Sequence, residues 1–378
     1  MTSRIRNARP EDMATDLSGG PSVSHGRVAV LDGLRGVAAV VVLIFHLVQQ
    51  YDLHSLPFAA LAVDFFYVLS GFVVALAYEQ PLRIGAMDFR AFAKVRLRRL
   101  YPLALLGTSF GILLALGAAT IKKDISVEQV TLAGVLGLLL LPSFVFRRWD
   151  TAYPFNMMSW SLTFELFVNA VYAIIVRKLT SNRLIALVVL SACLLVWLAL
   201  VNNGIKGGNN QDGFSWGFAR VMFPFFAGVL LCRHRIKRRF PAMVGVLLML
   251  LLAVLLLSPW PKSPFVSLFL VIVVFPALVA VGATIEAEGA LEWLCRKGGQ
   301  ISYPIYILQG PVLRIGEEFM KHRHFNTAMS YTFAIGEAFA VLMVAWGGLI
   351  LYDIPIQRLL RGSRLVESNA ELKQPTPA

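Results

Sequence analysis

The stretch VAVLDGLRGVAAVVVLIFHLVQQ, residues 28–50, decides the class of this protein. As a helix it is long enough to cross about 30 Å of hydrocarbon, which needs roughly 20 residues. It nevertheless carries Asp32, Arg35 and His46. Ionisable side chains inside a bilayer are costly and face a protein interior or a water-filled cavity. The stretch therefore predicts a transmembrane helix whose polar side chains face the inside of a helical bundle.

The composition of the whole chain supports the same class. Of its 378 residues 57% are hydrophobic and 15% charged, and its mean hydropathy is +0.68, whereas soluble domains carry about 25% charged residues. The net charge of +13 lies in clusters between apolar runs, as in polytopic membrane proteins. A soluble globule is excluded, nucleic acid is not expected as a partner, and the three isolated cysteines predict neither a disulfide nor a metal site.

Ten apolar runs are long enough to span a membrane. They lie near 29–49, 59–78, 100–119, 158–177, 184–202, 214–232, 241–258, 264–283, 300–319 and 329–352. An eleventh run, 131–147, is shorter and carries Pro142. The sequence thus predicts an all-α bundle of ten crossing helices plus one short re-entrant or interfacial segment.

Basic clusters set the predicted orientation, because short cytoplasmic loops accumulate Lys and Arg. If ten segments cross the membrane and 131–147 does not, the loops richest in Lys and Arg all lie on the same side as the N-terminus. We therefore expect disordered cytoplasmic tails at 1–27 and 358–378, without a signal peptide, around a transmembrane domain at 28–357. The pairs Arg147 with Arg148 and Lys321 with Arg323 fall on the outer side and oppose this orientation.

Three side chains share one stripe of the first helix. Arg35 and His46 are eleven residues apart, which at about 100° per residue places them within roughly 20° of one face and on the order of 16 Å apart along the axis. Asp32, one turn before Arg35, falls near that face. In one interpretation these three side chains belong to a functional site inside the bundle. In the other, Asp32 and Arg35 form a local ion pair and His46 has no function.

Other predicted spans supply polar partners. Asp64 lies near the outer end of the second span with Ser70 near its middle, and Ser161 and Glu165 lie in the outer third of another. A carboxylate at the depth of His46 orients an imidazole and raises its basicity, whereas the alternative for Asp64 or Glu165 is a structural inter-helix hydrogen bond. On the inner side, the loop RAFAKVRLRRLYPL at 90–103 brings Arg96, Arg98 and Arg99 to Tyr101. Arginines bind phosphates with bidentate geometry and aromatic faces stack on bases, but a positive-inside anchor also explains these charges.

These motifs resemble the integral-membrane acyltransferase family 3, over about residues 28–355. The most specific element is LDGLRGVAAVVVLIFH at 31–46, in which ten residues separate Arg35 from His46. Supporting segments occur in the family's order: DFFYVLSGF at 64–72, RLRRLYPL at 96–103, WSLTFE at 160–165 and ISYPIYILQGPV at 301–312, which contains Tyr303. Many relatives carry a histidine where this chain has Gln309, so we expect no catalytic role there.

The resemblance implies a membrane O-acyltransferase of the bacterial cytoplasmic (inner) membrane. Its expected co-substrate is acyl-CoA, most simply acetyl-CoA, with no permanently bound cofactor, and its acceptor a carbohydrate or glycolipid hydroxyl among membrane lipids. Arg96, Arg98, Arg99 and Tyr101 would bind CoA, and Arg35 its pantetheine or phosphate region. His46 would be the general base, oriented by Glu165 or Asp64, or else the acyl carrier. Asp32, Ser70, Ser161 and Tyr303 would support them.

Two other classes remain possible on the sequence. A multi-span transporter or flippase also carries buried charges, but the chain shows no clear internal repeat, and the Arg35–His46 motif favours the enzyme. A catalytically inactive relative with a binding role is disfavoured because Arg35, His46 and Glu165 are all present. The acceptor, the acyl chain length and the oligomeric state are left open.

Overall fold

A computed structural model describes residues 26–121, 126–146, 149–235, 238–321 and 325–360. Most of the predicted tails, 1–27 and 358–378, lies outside these ranges. The described residues form twelve α-helices: α1 Gly26–Gln50, α2 Ala62–Arg83, α3 Phe89–Ile121, α4 Val127–Leu138, α5 Ser159–Ile175, α6 Ser181–Val201, α7 Trp216–Arg233, α8 Ala242–Leu257, α9 Pro264–Phe269, α10 Phe275–Gly282, α11 Gly289–Met320 and α12 Thr327–Gly347. A 3-10 turn, Ala59–Leu61, precedes α2, and π-helical turns at Leu270–Val274 and Gly348–Asp353 join α9 to α10 and continue α12.

Seven helical stretches of the described chain are long and apolar enough to cross a membrane. They contain α1, α2, α3, α6, α7, the continuous α9–α10 segment, and α12 with its extension to Leu360. The protein is therefore an all-α polytopic membrane bundle, as predicted. The remaining predicted crossings are α5 and α8, with 17 and 16 residues, and α11, which is long but carries several charges. The count of ten and the orientation stay predictions.

Two further segments take a definite form in the structure. The run at 131–147 begins inside α4, whose 12 residues, Val127–Leu138, are about 18 Å long. This helix is too short to cross 30 Å of hydrocarbon, in agreement with the predicted short segment. The basic segment 90–103 was expected to be a loop, and this is wrong, because α3 begins at Phe89 and includes it. A helix sends neighbouring arginines to different faces, which changes how these charges can act together.

Glycines bring two pairs of helices into backbone contact. On α1, a Cβ at Gly36 would lie 3.0 Å from the Cα of Gly298 on α11. On α2 and α7, a Cβ at Gly71 would lie 1.9 Å from the Phe225 carbonyl oxygen, and one at Gly228 would lie 2.1 Å from the Val68 carbonyl oxygen. Membrane helices associate closely where small residues let their backbones approach. The Gly residues of the DGLRG and LSGF segments thus place Arg35 and Ser70 close to neighbouring helices.

Prolines inside the helices leave carbonyl groups that side chains from other segments satisfy. Pro311 has no N–H to donate to the Ile307 carbonyl, and Asn156 Nδ2 donates to that oxygen instead, at 3.0 Å. Pro102 likewise cannot donate to the Arg98 carbonyl, which accepts from Gln357 Nε2 at 2.8 Å. Because a bilayer offers no water to unsatisfied backbone groups, these amide side chains tie α11 and α3 to distant parts of the chain.

Candidate active site

The first polar group at the site is an ion pair within α1. Arg35 Nη1 donates to Asp32 Oδ1 at 2.8 Å, and both side chains are about one-fifth to one-quarter exposed, at 19% and 26%. The local pair that the sequence allowed is therefore formed. Arg35 also interacts electrostatically with Arg99 on α3 and Glu165 on α5. Asp32 and Arg35 on α1, Arg99 on α3 and Glu165 on α5 thus form a charged cluster that joins three helices.

His46 stands apart from the charged groups of the bundle. Its imidazole makes no hydrogen bond within the described chain, and its ring lies against Phe45, with centroids 5.1 Å apart. The residue is partly buried, one turn from the end of α1. Among the described residues, α1 thus carries an Arg35 with an ionic partner and a His46 without one.

The expected pairing of Asp64 with His46 is wrong. Asp64 is 0% exposed, and its two oxygens accept from Arg220 Nε at 2.8 Å and Nη2 at 2.6 Å. Arg220 Nη1 also donates to the Gly207 carbonyl at 3.3 Å, and its guanidinium lies 5.3 Å from the Trp160 ring centroid. A buried bidentate pair compensates both charges. Arg220 was not among the predicted site residues, although an arginine inside an apolar span is a signal for a functional or paired charge.

Glu165 joins residues that the sequence placed in separate layers. Its Oε1 accepts from Arg96 Nη2 on α3 and from Ser70 Oγ on α2, each at 2.7 Å. The side chains of Arg96 and Glu165 are 7% and 22% exposed. Arg96 was expected among the donor-binding residues on the inner side and Glu165 at the outer side beside His46. The predicted separation of these two residues into an inner and an outer layer is wrong, because Arg96 on α3 and Glu165 on α5 are in direct contact.

The helical form of the basic segment separates its three arginines. Arg99 follows Arg96 by three residues and lies near the same face, whereas Arg98 points about 200° away from Arg96. Arg99 is exposed, interacts electrostatically with Arg35, Arg96 and Asp353, and makes no hydrogen bond or ion pair within the described ranges. Tyr101 donates its hydroxyl to the Leu138 carbonyl at 2.8 Å. Of the predicted CoA-binding arginines, Arg99 is thus the unpaired one that faces the charged cluster.

Aromatic hydroxyls pack around this cluster. Tyr303 on α11 donates to the Leu100 carbonyl on α3. Ser161 Oγ lies 2.6 Å from Tyr306 Oη, and the Ser161 carbonyl accepts from Tyr67 Oη at 3.2 Å. These contacts fix α2, α5 and α11 relative to each other. The predicted supporting residues Ser161 and Tyr303 thus hold helices together beside Glu165.

The segment between α4 and α5 covers one end of this region. Tyr153 Oη donates to Thr163 Oγ1 at 2.7 Å, and Thr163 Oγ1 donates to the Leu140 carbonyl at 2.8 Å. Burial raises the pKa of Tyr153 to about 12, so its phenol stays protonated and remains a donor at neutral pH. Its hydrogen bond therefore holds the segment against α5 under physiological conditions.

Another basic cluster has a structural explanation. At the junction of α2, α5 and α7, Arg233 Nε donates to Glu79 Oε1 at 2.8 Å, and both Arg83 and Arg233 donate to the Leu179 carbonyl. These side chains satisfy backbone carbonyls that follow α5, where the helix leaves them without partners. The three cysteines are unpaired, and no group of three or more His, Cys, Asp or Glu side chains in the described part of the chain is placed to hold a metal ion.

Comparison with known proteins covers almost the whole transmembrane region. The family model described as an acyltransferase domain (Acyl_transf_3) matches residues 28–352. Protein 2 in the picA locus of Rhizobium radiobacter is 37% identical over 179 residues, which is 45% of this chain and 93% of that protein. O-acetyltransferase OatA of Staphylococcus aureus is 26% identical over 196 residues, which is 49% of this chain and 31% of OatA. The chain thus aligns with less than a third of OatA's length, and no solved structure matches.

Proposed function

This chain belongs to acyltransferase family 3, and from that premise we propose that it transfers an acetyl group from cytoplasmic acetyl-CoA to a hydroxyl of a cell-surface or lipid-linked carbohydrate in the bacterial inner membrane. The protein is a membrane O-acyltransferase by its family and its OatA-like relatives. The donor, the acceptor and the orientation are our proposal. The observation that carries it is that α1 holds Arg35, beside Arg99 on α3, and eleven residues further on His46, which makes no hydrogen bond to the described residues.

The donor side is assigned to the arginines at the start of α3. Arg99 is exposed, makes no hydrogen bond or ion pair to the residues that the structure describes, and lies near the Arg35 charge. Guanidinium groups bind phosphates through paired N–H donors. The 3′-phosphate or diphosphate of CoA would bind at Arg99, and the pantetheine arm would pass Arg35 into the bundle. Arg96 would act indirectly by holding Glu165.

The acceptor side is assigned to His46. A neutral hydroxyl is a weak nucleophile, and a positioned base accelerates its attack typically by 10²–10⁴-fold. A general base must keep a free ring nitrogen, and the His46 ring accepts no hydrogen bond from the rest of the described protein. The base would take the proton of the acceptor hydroxyl as its oxygen attacks the acyl carbon. The pairing of Asp64 with Arg220 leaves the orientation of the imidazole to packing against Phe45 and to the substrate.

The test uses full-length protein purified in detergent with radiolabelled acetyl-CoA, measuring release of the CoA thiol. A second arm uses membranes of expressing cells as the acceptor source and measures base-labile label in extracted glycolipid and glycan. Wild type is compared with His46→Ala and Arg35→Ala, with His54→Ala, in an exposed loop position, as the matched control. With membranes present as the acceptor source, we expect repeated release of the CoA thiol and labelled glycan from wild type and His54→Ala only. Folded wild-type protein that neither binds acetyl-CoA nor labels any carbohydrate would overturn the proposal.

A further inference from the structure

Ser70 differs from the other serines in the described residues in the partner of its hydroxyl. It lies inside α2, where a serine commonly bonds the carbonyl one turn earlier in its own helix. Ser191 and Ser302 do bond carbonyls of their own helices. Ser70 Oγ instead donates to Glu165 Oε1 across the bundle at 2.7 Å. Among the serines that the structure describes, it is the one whose hydroxyl donates to a carboxylate.

The carboxylate that accepts this hydrogen bond is itself oriented. Arg96 Nη2 donates to the same Oε1 at 2.7 Å, so the carboxylate is held by a cation while it accepts from the serine. Glu165 Oε2 makes no hydrogen bond to the described protein, which leaves a free lone pair. A nucleophile bonded to a base that a third group orients is the arrangement used in covalent catalysis. Ser70, Glu165 and Arg96 have that geometry.

The side chains around the Ser70–Glu165 pair suit the binding of an acyl thioester. Arg35 and Arg96 both interact with Glu165, so two positive charges lie close to the Ser70–Glu165 pair. Such charges stabilise the transition state of acyl transfer. The Ser70 side chain is only partly buried, and Glu165 is 22% exposed. Both side chains of the pair thus keep some accessible surface.

Ser70 lies one turn from a side chain that contacts several other helices. Phe66, one turn before Ser70, packs against a cluster of α1, α11 and α12 side chains that includes Leu43 and Leu47, the leucines on either side of His46 along α1. An acyl group on Ser70 would thus be carried by a helix that packs beside this cluster.

We propose that Ser70 is a catalytic nucleophile that carries the acyl group as an ester, an inference that rests on the proposed acyltransferase function. Ser70 Oγ attacks the thioester carbon, its proton passes to Glu165, the carbon–sulfur bond breaks, and the proton then neutralises the CoA thiolate. The acceptor hydroxyl next attacks the Ser70 ester and gives its proton to His46. The bond to Ser70 Oγ breaks, and that oxygen takes up the proton that the acceptor hydroxyl gave to His46, so that Ser70 and His46 both return to their starting states. CoA leaves as a thiol and one ester is formed for each thioester consumed.

The first experiment traps the ester. Full-length protein is incubated with radiolabelled acetyl-CoA without any acceptor, quenched in mild acid, digested and analysed by mass spectrometry. A serine ester survives these conditions, whereas an acetyl-imidazole hydrolyses. We expect up to one acetyl group per chain, on the peptide that contains Ser70. Ser70→Ala removes the label and lowers turnover at least 100-fold, whereas Ser302→Ala, the matched helix-bonded serine, keeps both.

Further variants separate this role from a structural one. Ser70→Cys keeps a nucleophile, and we expect it to collect label as a thioester that neutral hydroxylamine releases faster than the ester. Apparent melting temperature in detergent checks that Ser70→Ala is folded. Wild type that turns over with no label on Ser70, or Ser70→Ala with wild-type turnover, overturns this inference and leaves the proposed function standing. Wild type that neither releases CoA nor accepts label overturns both.

Discussion

Arg96 Nη2 lies 2.7 Å from Glu165 Oε1, and this contact links the basic start of α3 to the middle of α5. A guanidinium that a positive-inside count would place at the membrane surface is instead 6% exposed and neutralised inside the bundle. The pair brings Ser70 and Arg35 into the same cluster. The donor-binding segment and the carboxylate of the WSLTFE segment therefore belong to a single site.

We expect the effects of substituting Arg96 and Glu165 on the free energy of unfolding to be strongly coupled. Arg96→Met and Glu165→Gln each leave a buried polar group without its partner, and we expect each to lower the free energy of unfolding by about 1–3 kcal/mol. The double variant should lose less than the sum, because it removes both charges. The free energy of unfolding of each variant is measured by denaturing the purified protein in mixed detergent micelles. Additive losses would mean that the two groups do not interact in the folded protein.

The Asp64–Arg220 pair should matter more for stability. Both side chains are almost fully buried, and removing one partner from a buried pair costs about 3–5 kcal/mol. We expect Asp64→Asn and Arg220→Met to reduce folded yield and apparent melting temperature. Arg239→Met is the control, because Arg239 pairs with Glu286 while 64% exposed and exposed pairs contribute about 0–1 kcal/mol. Equal losses for the buried and exposed pairs would contradict this interpretation.

The hydrogen bond from Asn156 to the Ile307 carbonyl predicts a rescue. Asn156→Leu removes the donor, and Pro311 has no N–H to replace it, so we expect a loss of about 1–3 kcal/mol. Adding Pro311→Ala restores a backbone N–H one turn after Ile307 and should recover part of that loss. The measurement is the apparent melting temperature of the single and double variants. No recovery in the double variant would show that the carbonyl is not the reason for the loss.

The glycine contact between α2 and α7 should be intolerant of side chains. A Cβ at Gly71 would lie 1.9 Å from the Phe225 carbonyl oxygen, so Gly71→Ala forces the helices apart and should reduce both folded yield and turnover. At Gly336 on α12 a Cβ meets no atom within 4 Å. Gly336→Ala should leave folding unchanged or slightly improved. Size-exclusion profiles and turnover of the two variants make the comparison.

We expect Arg99 to contribute more than Arg98 to the binding of acetyl-CoA. Arg99 faces the charged cluster and Arg98 points away from it, so we expect Arg99→Ala to raise the KM for acetyl-CoA at least about tenfold. A hydrogen bond to a charged group contributes about 1.5–3 kcal/mol, which accounts for that size. Arg98→Ala should change the KM less than twofold. Initial rates across acetyl-CoA concentrations test this, and equal effects would place the phosphate elsewhere.

The sequence already contained the membrane class, the helical bundle and most of the helix positions. Apolar runs of sufficient length are local features, since the bilayer requires each spanning segment to satisfy its own backbone. The Arg35–His46 spacing is also local, because both residues lie on one helix. The same applies to the Asp32–Arg35 pair, which is one turn long. For these features the helical period alone gives the geometry.

The partners of the buried charges were decided by the tertiary structure. Asp64 could have faced His46 or Arg220, and Arg96 could have remained at the surface, since no local pattern specifies which helices become neighbours. Close packing at Gly71 and Gly36 chooses those neighbours, and each buried charge then pairs with the opposite charge that the packing brings within reach. The sequence by itself therefore determined that Asp32, Arg35, His46, Asp64 and Glu165 lie on helices of the bundle. The tertiary structure alone decided that Ser70, Glu165 and Arg96 meet, because pairing inside a bilayer depends on contacts between helices far apart in the chain.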